Sequence, residues 1–480
     1  MAPPIFFIIL ASLFILSVIA SFITQTKKKR PPRNLPPGSF GWPIIGESLE
    51  FLRSSRRGRP DEFVLDRCKK YGSDVFKTHL MGEPVVVLRG PAGNKFLFSN
   101  ENRLVTSWWP ASVQKLLGVC LANSAGEDAK RVRKLMSYFV GPDALQRLYL
   151  KTMDFVTRQH IQSRWHDESE LKVLPLAKTY TFELACRLFM SVEDPGQINR
   201  LSGLFNVFLK GIISLPVNLP GARFGRAMRA TALIREELLG VVKKRRDALK
   251  SRPSSQRRDL LSHLLLTPDE DGNFMSELHI ANNILLLLFA GHDTSSVTIT
   301  LLIKKLGELP NVYEEVLREH REIAASKEEG EFLDWDDIQK MRYSWHVVSE
   351  VMRLYSPIFG VFREALEDVN YESYIIPKGW KFYWNAPITH LDGGLFQDPM
   401  RFDPLRFEDD GPAPYTYVPF GGGPRMCLGK EFARLEILTF LHHLVMRFRW
   451  SLLVLDEKIE YDPMPVPVEG LPIRLHAHKQ

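Results

Sequence analysis

The 480-residue chain reads as a mainly α protein with a minor β region, one large domain behind a single N-terminal transmembrane helix. Three observations predict this. Helical patterning runs from about residue 126 to 360, broken only by short turn signals. Within it, one uninterrupted candidate helix extends from Ser276 to Leu309, with no proline before Pro310. Period-two apolar runs are confined to an early segment and to the region after Pro357.

Residues 1–26 carry no charged side chain, and Ile5 to Thr24 is a near-continuous apolar run. Twenty residues at 1.5 Å rise span the ~30 Å hydrocarbon core of a bilayer. Fourteen of the twenty are Ile, Leu, Phe or Val, each favouring insertion. A cleaved signal peptide would carry Lys or Arg at its start and a small-residue cleavage site at its end, and both are missing. Lys27-Lys28-Lys29-Arg30 follows instead, which leaves the rest of the chain on the cytoplasmic side. Residues 27–45 form a basic, proline-rich linker, with Pro31 to Gly38 a stiff extended spacer, and the globular domain occupies 46–480. Val75 to His79 and Val85 to Leu88 read as two strands joined by a turn over Met81-Gly-Glu-Pro84. The helical region is punctuated at Gly141-Pro142, Pro216 to Gly221, Ser251 to Ser255 and Pro268 to Asn273. Ser276 suits the N-cap of the long helix, whose apolar centre, Ile284 to Ala290, is too short for a second span. A last helix is expected after Cys427.

Hydrophobic residues make up 45% of the chain and charged ones 25%, the composition of a folded globular protein. A net charge of +7 is mild, and it suits an anionic membrane surface or an acidic protein partner. No zinc-finger spacing and no basic stripe interleaved with aromatics points to nucleic acid. The four cysteines include no CxxC, which argues for a reducing compartment and against a disulfide framework.

Chemistry concentrates in Phe420-Gly-Gly-Gly-Pro-Arg-Met-Cys-Leu-Gly429. Glycines at 421, 422, 423 and 429 let backbone approach a flat macrocycle and turn N–H groups toward sulfur. A thiolate that ligates haem iron needs such a loop, because these bonds and the exclusion of water tune the metal. Cys427 is the candidate ligand, Arg425 is placed for a propionate and Phe420 to cover the sulfur. The pattern Phe-x-x-Gly-x-Arg-x-Cys-x-Gly closely resembles the haem-binding loop of the cytochrome P-450 superfamily, and the resemblance covers essentially the whole chain.

That resemblance implies the cytochrome P-450 fold, haem b (iron-protoporphyrin IX) on Cys427, and a monooxygenase that uses O2. Ala290-Gly-His-Asp-Thr294 resembles the family's oxygen groove, where the hydroxyl of Thr294 and the acid Asp293 relay protons during dioxygen cleavage; a Thr here can also bond back and open the helix ladder. Arg133 and Arg363 match positions that bind haem propionates, joining Arg425, Phe420 and Gly429 as cofactor-binding residues; Ala129 stands where the family commonly has Trp. Glu350 and Arg353 match a buried pair joined by Arg406 that fixes the thiolate loop. No Gly-x-Gly-x-x-Gly and no P-loop offers a flavin or nicotinamide site, so electrons derived from NADPH arrive through a separate NADPH-cytochrome P-450 reductase. The implied location is the endoplasmic reticulum membrane, single-pass, with the catalytic domain facing the cytosol.

Several segments resemble the plant triterpenoid (beta-amyrin-type) oxidase branch: Pro36 to Glu47, Val105 to Pro110, Tyr415 to Phe420 and Asp462 to Pro465. The implied substrate is a hydrophobic pentacyclic triterpene of the amyrin or lupeol type. Its walls are expected from Trp108, Trp109, Phe205 to Leu215, Leu286 to Ala290, Ile358 to Phe362 and Met464 to Val468. Tyr355 to Phe362 departs from the branch's paired prolines and Gln, which leaves the position of oxidation open. Related branches oxidise sterols, taxane diterpenes and abscisic acid. A reductase-independent haem-thiolate isomerase and a non-enzymatic haem or sterol carrier also stay open, though neither needs the Asp293–Thr294 pair.

Overall fold

The computed structural model describes residues 34–478 apart from 44, 58, 60, 213, 215, 220, 252–258, 359 and 462–463. The expected membrane helix, 1–26, and residues 27–33 and 44 of the linker lie outside the described residues. The chain divides into two compact bodies: residues up to 108 with 360–385, and 109–359 with 386–480.

The first body is built on five strands: β1 Val75–Leu80, β2 Glu83–Leu88, β3 Val105–Trp108, β4 Gly360–Ala365 and β5 Lys381–Asn385, in the order β1-β2-β5-β4-β3. The predicted hairpin is β1–β2, with Val75 opposite Leu88 and Leu80 opposite Glu83. Its loop is tighter than the sequence suggested. Only Met81 (φ 53°) and Gly82 (φ 83°) turn, so Glu83 and Pro84 already belong to the strand. A two-residue loop with both φ positive matches the twist of the flanking strands. Val85 to Leu88 are all buried rather than alternating, because β2 pairs in parallel with β5 and is covered on both faces.

The second body is helical around Glu277–Glu308, 32 residues and about 48 Å long. Ser276 caps it as predicted, its hydroxyl accepting from the His279 amide at 3.3 Å. By length and composition this helix would cross a bilayer, yet 72% of its most apolar stretch is buried in protein. It is the core element, packed against Val173–Met190, Arg223–Ser251, Arg342–Leu354 and Lys430–Val445, the last being the helix expected after Cys427. A π-helical turn, Leu145–Tyr149, was not foreshadowed by any sequence signal. A three-stranded sheet closes this body, with Pro472–Ala477 central between Glu170–Lys172 and Phe448–Leu452.

Candidate active site

The glycine loop enters a short 3-10 turn at Gly423–Arg425 and leaves into the helix Lys430–Val445. Gly421 and Gly423 have φ of 68° and 63°, left-handed values that a side chain would resist. These turns bring the Cys427 amide to the Phe420 carbonyl at 2.9 Å and close the loop on itself. Cys427 is exposed, unlike Cys68, Cys120 and Cys186. Burial nevertheless pushes its thiol up, while a hydrogen bond from the Gly429 amide and the Arg133 cation pull it down. An uncovered sulfur set deep among protein atoms is the signature of a hollow rather than of an outer surface. A Cβ built on Gly429 would meet nothing within 4 Å, so the space beside this glycine is open. The donor set is a soft thiol, an amide aimed at it and nearby guanidinium groups, which fits a haem-iron ligand.

The two arginines of this body sit on the loop. Arg133 donates to the Met426 carbonyl at 2.7 Å. Arg425 donates to the carbonyls of Leu121 (3.1 Å) and Ser124. Phe420 is half-buried and packs against the core. Arg363 belongs to the first body, on β4, where its Nε meets Glu101 at 2.7 Å with both side chains almost fully buried. Sequence reading named Arg363 but not Glu101.

On the long helix, Ala290 is exposed and Gly291 and Thr294 are half-buried, which leaves a small-residue face uncovered. A Cβ on Gly291 would touch only Phe189, at 4.0 Å. The Thr294 hydroxyl donates to the Ala290 carbonyl at 2.7 Å, the back-bond expected of it. The helix ladder does not open, because a hydroxyl can share a carbonyl without displacing its amide. Asp293, about 100° further round the helix, turns into the protein and pairs with Lys178 at 2.8 Å. The adjacent Thr181 donates to the His292 carbonyl at 3.0 Å, so Val173–Met190 grips the helix at this point. Next along, Ser295 lies against Glu436, whose carboxyl burial pushes up to about 8. Neither Lys178 nor Glu436 carries a local signal in the sequence.

The loop is held from behind by the predicted network. Arg353 donates to Glu350 through Nε (2.7 Å) and Nη2 (2.8 Å), with both side chains wholly buried. Arg406 approaches Glu350 at 3.5 Å, and the Asp403 amide donates to the same carboxylate at 2.9 Å. Arg353 also donates to the His390 carbonyl at 2.7 Å. The His390 ring accepts from the Val418 amide at 2.9 Å, two residues before Phe420. The other ring nitrogen faces Ser356 at 3.1 Å, so the ring is neutral with Nδ1 protonated. Burial and the Arg353 cation hold His390 down to about 3.

His160 and His320 are likewise held down to about 3 by burial. At pH 7 these imidazoles are neutral in both folded and unfolded chains and cost nothing. Below 6.5 only the unfolded chain takes up the protons, so stability falls with pH until about 3. The three together should remove about 4 kcal/mol per pH unit, roughly 1.4 from each. Denaturant unfolding of the holoprotein at pH 6 and at pH 5 measures this, and equal stability at the two would show the rings are not buried neutral.

Of the expected apolar walls, Phe205 and Phe208 prove to be core. Phe205 packs edge-on against Phe182, and Phe208 against Phe289. Leu286, Leu287 and Phe289 are half-buried, and Trp109 is fixed by its indole N–H on the Ala122 carbonyl at 3.0 Å. In the first body, Trp108 packs edge-on against Phe362 at 5.6 Å.

A helical body that pairs an open thiol loop with a small-residue face on its core helix has the plan of a haem-dependent oxidoreductase. Residues 36–473 match the family described as Cytochrome P450, and the chain belongs to that family. It is 52% identical to a beta-amyrin 28-monooxygenase of Vitis vinifera over 478 residues, 99% of each chain. A beta-amyrin 28-monooxygenase of Medicago truncatula is also 52% identical, over 477 residues and 99% of each. Among solved structures, a retinoic acid-bound cyanobacterial CYP120A1 is similar with a TM-score of 0.84 and 35% identity, covering 93% of this chain and 99% of that one.

Proposed function

We propose that this chain is a membrane-anchored monooxygenase that oxidises a pentacyclic triterpene of the beta-amyrin type. The observation that carries the reaction class is the uncovered Cys427 sulfur in its glycine loop, with the Gly429 amide turned on it. Identity of 52% across essentially the whole length to beta-amyrin 28-monooxygenases supports the substrate and favours the 28-position.

In this reading Cys427 holds haem b, Phe420 shields the sulfur from water once haem is bound, and Gly429 donates to it. Arg425, Arg133 and, on the resemblance alone, Arg363 take the propionates. Bound there, haem supplies the activation of dioxygen and the insertion of one oxygen atom into a C–H bond. The protein's part is positional. Ala290 and Gly291 leave room above the helix, and Thr294 holds a proton at its hydroxyl, one rotation from the Ala290 carbonyl. Asp293, paired with the partly exposed Lys178, links the helix to solvent protons. Half-buried Leu286, Leu287 and Phe289 remove apolar surface from water at about 25 cal/mol per Å². A charged ligand on such a wall would lose several kcal/mol of solvation, as buried unpaired ions do. Residues 1–26 anchor the protein in the endoplasmic reticulum membrane, and an NADPH-cytochrome P-450 reductase supplies electrons.

Reconstitution with reductase, NADPH and O2 tests this against beta-amyrin, lupeol, a plant sterol, a taxadiene and abscisic acid. Beta-amyrin is expected to give a 28-oxidised product. Turnover confined to abscisic acid would sink the triterpene assignment and leave the reaction class standing. In the same assay Thr294→Ala should bind haem and substrate normally, consume NADPH and O2, and release the reduced oxygen as hydrogen peroxide instead of product. Losing a positioned proton donor costs about 10²–10⁴ in rate, and tight coupling in this variant would remove the role given to Thr294.

A further inference from the structure

We propose that Asn283 is a positioning residue for the thiolate loop, acting through the single residue Leu121 on Arg425. Asn283 lies two turns before the Ala290–Thr294 face, wholly buried in the long helix. Its Oδ1 accepts from the Leu121 amide at 2.9 Å, and its Nδ2 donates to the His279 carbonyl at 2.9 Å. Only one orientation of the amide serves both partners, so the side chain is locked. The carbonyl of Leu121 then accepts from Arg425 at 3.1 Å. One residue thus has its N–H on the long helix and its C=O on the loop that carries Cys427.

The neighbouring Asn282 holds the same segment at a different point. It accepts from Arg235 at 2.8 Å, and Arg235 donates to the Leu116 carbonyl at 2.7 Å. Between these anchors Gly118 lies so close that a Cβ would sit 2.6 Å from Asn282 and 2.8 Å from Arg235, at a φ of 70°. The contact with Asn282 therefore fixes the near end of the segment, while Asn283 holds Leu121, the residue whose carbonyl Arg425 grips. An Asn in an otherwise apolar stretch is costly unless both ends are satisfied. Here both are: the bond to the His279 carbonyl stays within the helix and sets the amide, and the bond from Leu121 ties the 116–124 segment to it.

The inference rests on the haem reading, and the experiment separates the two. Full-length holoprotein is prepared as wild type, Asn283→Leu, Asn283→Asp and Asn282→Leu. Haem transfer to excess apomyoglobin and amide hydrogen exchange over 116–125 are measured. Asn283→Leu should lose haem about tenfold faster, the equivalent of one lost buried hydrogen bond, with faster exchange at Leu121. Asn283→Asp should stay near wild type, because a buried carboxyl is protonated and keeps both bonds. Asn282→Leu should loosen Leu116 to Gly118 and leave haem loss within about twofold, since its partner Arg235 does not touch Leu121. Equal rates for Asn283→Leu and Asn282→Leu, or no recovery in Asn283→Asp, would overturn the proposal. Coupling is reciprocal, so removing haem from the wild type should raise exchange at Leu121 more than at Gly118. Indifference of Leu121 to haem would overturn it even if the leucine variant does not fold. A wild type with no thiolate-type spectrum would instead refute the haem reading, and this inference with it.

Discussion

Cys427→Ala abolishes the thiolate-type spectrum of the reduced carbon monoxide complex, and all turnover with it. Iron takes the thiolate, not the thiol, and an empty Cys427 is held back from ionising by burial. The Gly429 amide and Arg133 offset part of that cost, and a bound ferric ion would displace the proton. Alanine keeps the loop's backbone and removes its only thiol. The other cysteines cannot stand in for it. Cys68, Cys120 and Cys186 are buried elsewhere, each with its thiol pushed up by burial, Cys68 to about 11. The purified variant is assayed by reduced-CO difference spectroscopy. Survival of the spectrum would mean that another residue binds iron, and the site assignment would fall.

Glu350→Ala is expected to destabilise the second body by about 3–5 kcal/mol, the cost of stripping one partner from a buried ion pair. That is a large share of the roughly 5–15 kcal/mol by which a folded domain exceeds its unfolded state. The substitution leaves Arg353, with no exposure at all, facing an apolar gap, and it orphans the Asp403 amide. Strain then passes along Arg353 and His390 to Val418, and so to the loop itself. Glu350→Gln should cost less, since it keeps acceptors for Arg353 while losing the charge. Denaturant unfolding and haem content per chain read the two effects. A variant with alanine at 350 that matched wild type in both would show that the network is dispensable.

What could be read from the sequence was what lies close together along the chain. Ser276 and Pro310 bracket the long helix, Gly82 marks the hairpin, and Phe420 to Gly429 spells out the thiolate loop. The Glu350–Arg353 pair is legible because three residues separate its members, one turn of helix. The partners were not legible. Lys178 reaches Asp293 across 115 positions of sequence, and Leu121 reaches Asn283 across 162. Side-chain chemistry alone does not select one lysine or asparagine among many at such separations. Phe205 and Phe208 have the composition of a pocket lining, and sequence alone does not separate lining from packing; their full burial, beside Phe182 and Phe289, puts them in the core. Thr294 and Asp293 were named together, yet adjacent helical positions face different neighbours, and the structure gives the acid to Lys178.

The interleaving of the two bodies along the chain sets an order on synthesis. The strand-built body draws β4 and β5 from residues 360–385, so a ribosome that has released only the first 300 residues has completed neither fold. The helical body waits longer still, since Pro472–Ala477 is the central strand between Glu170–Lys172 and Phe448–Leu452. At about 5–20 residues per second, residues 170–172 stand without their partner for some 15–60 s after translation. Within that interval, from Glu308 to Val445, the apolar face of the long helix stands for about 7–27 s without Lys430–Val445 to cover it. The nascent chain thus carries an uncovered apolar helix face until Val445 is made, and a stop before Pro472 removes the central strand of the three-stranded sheet.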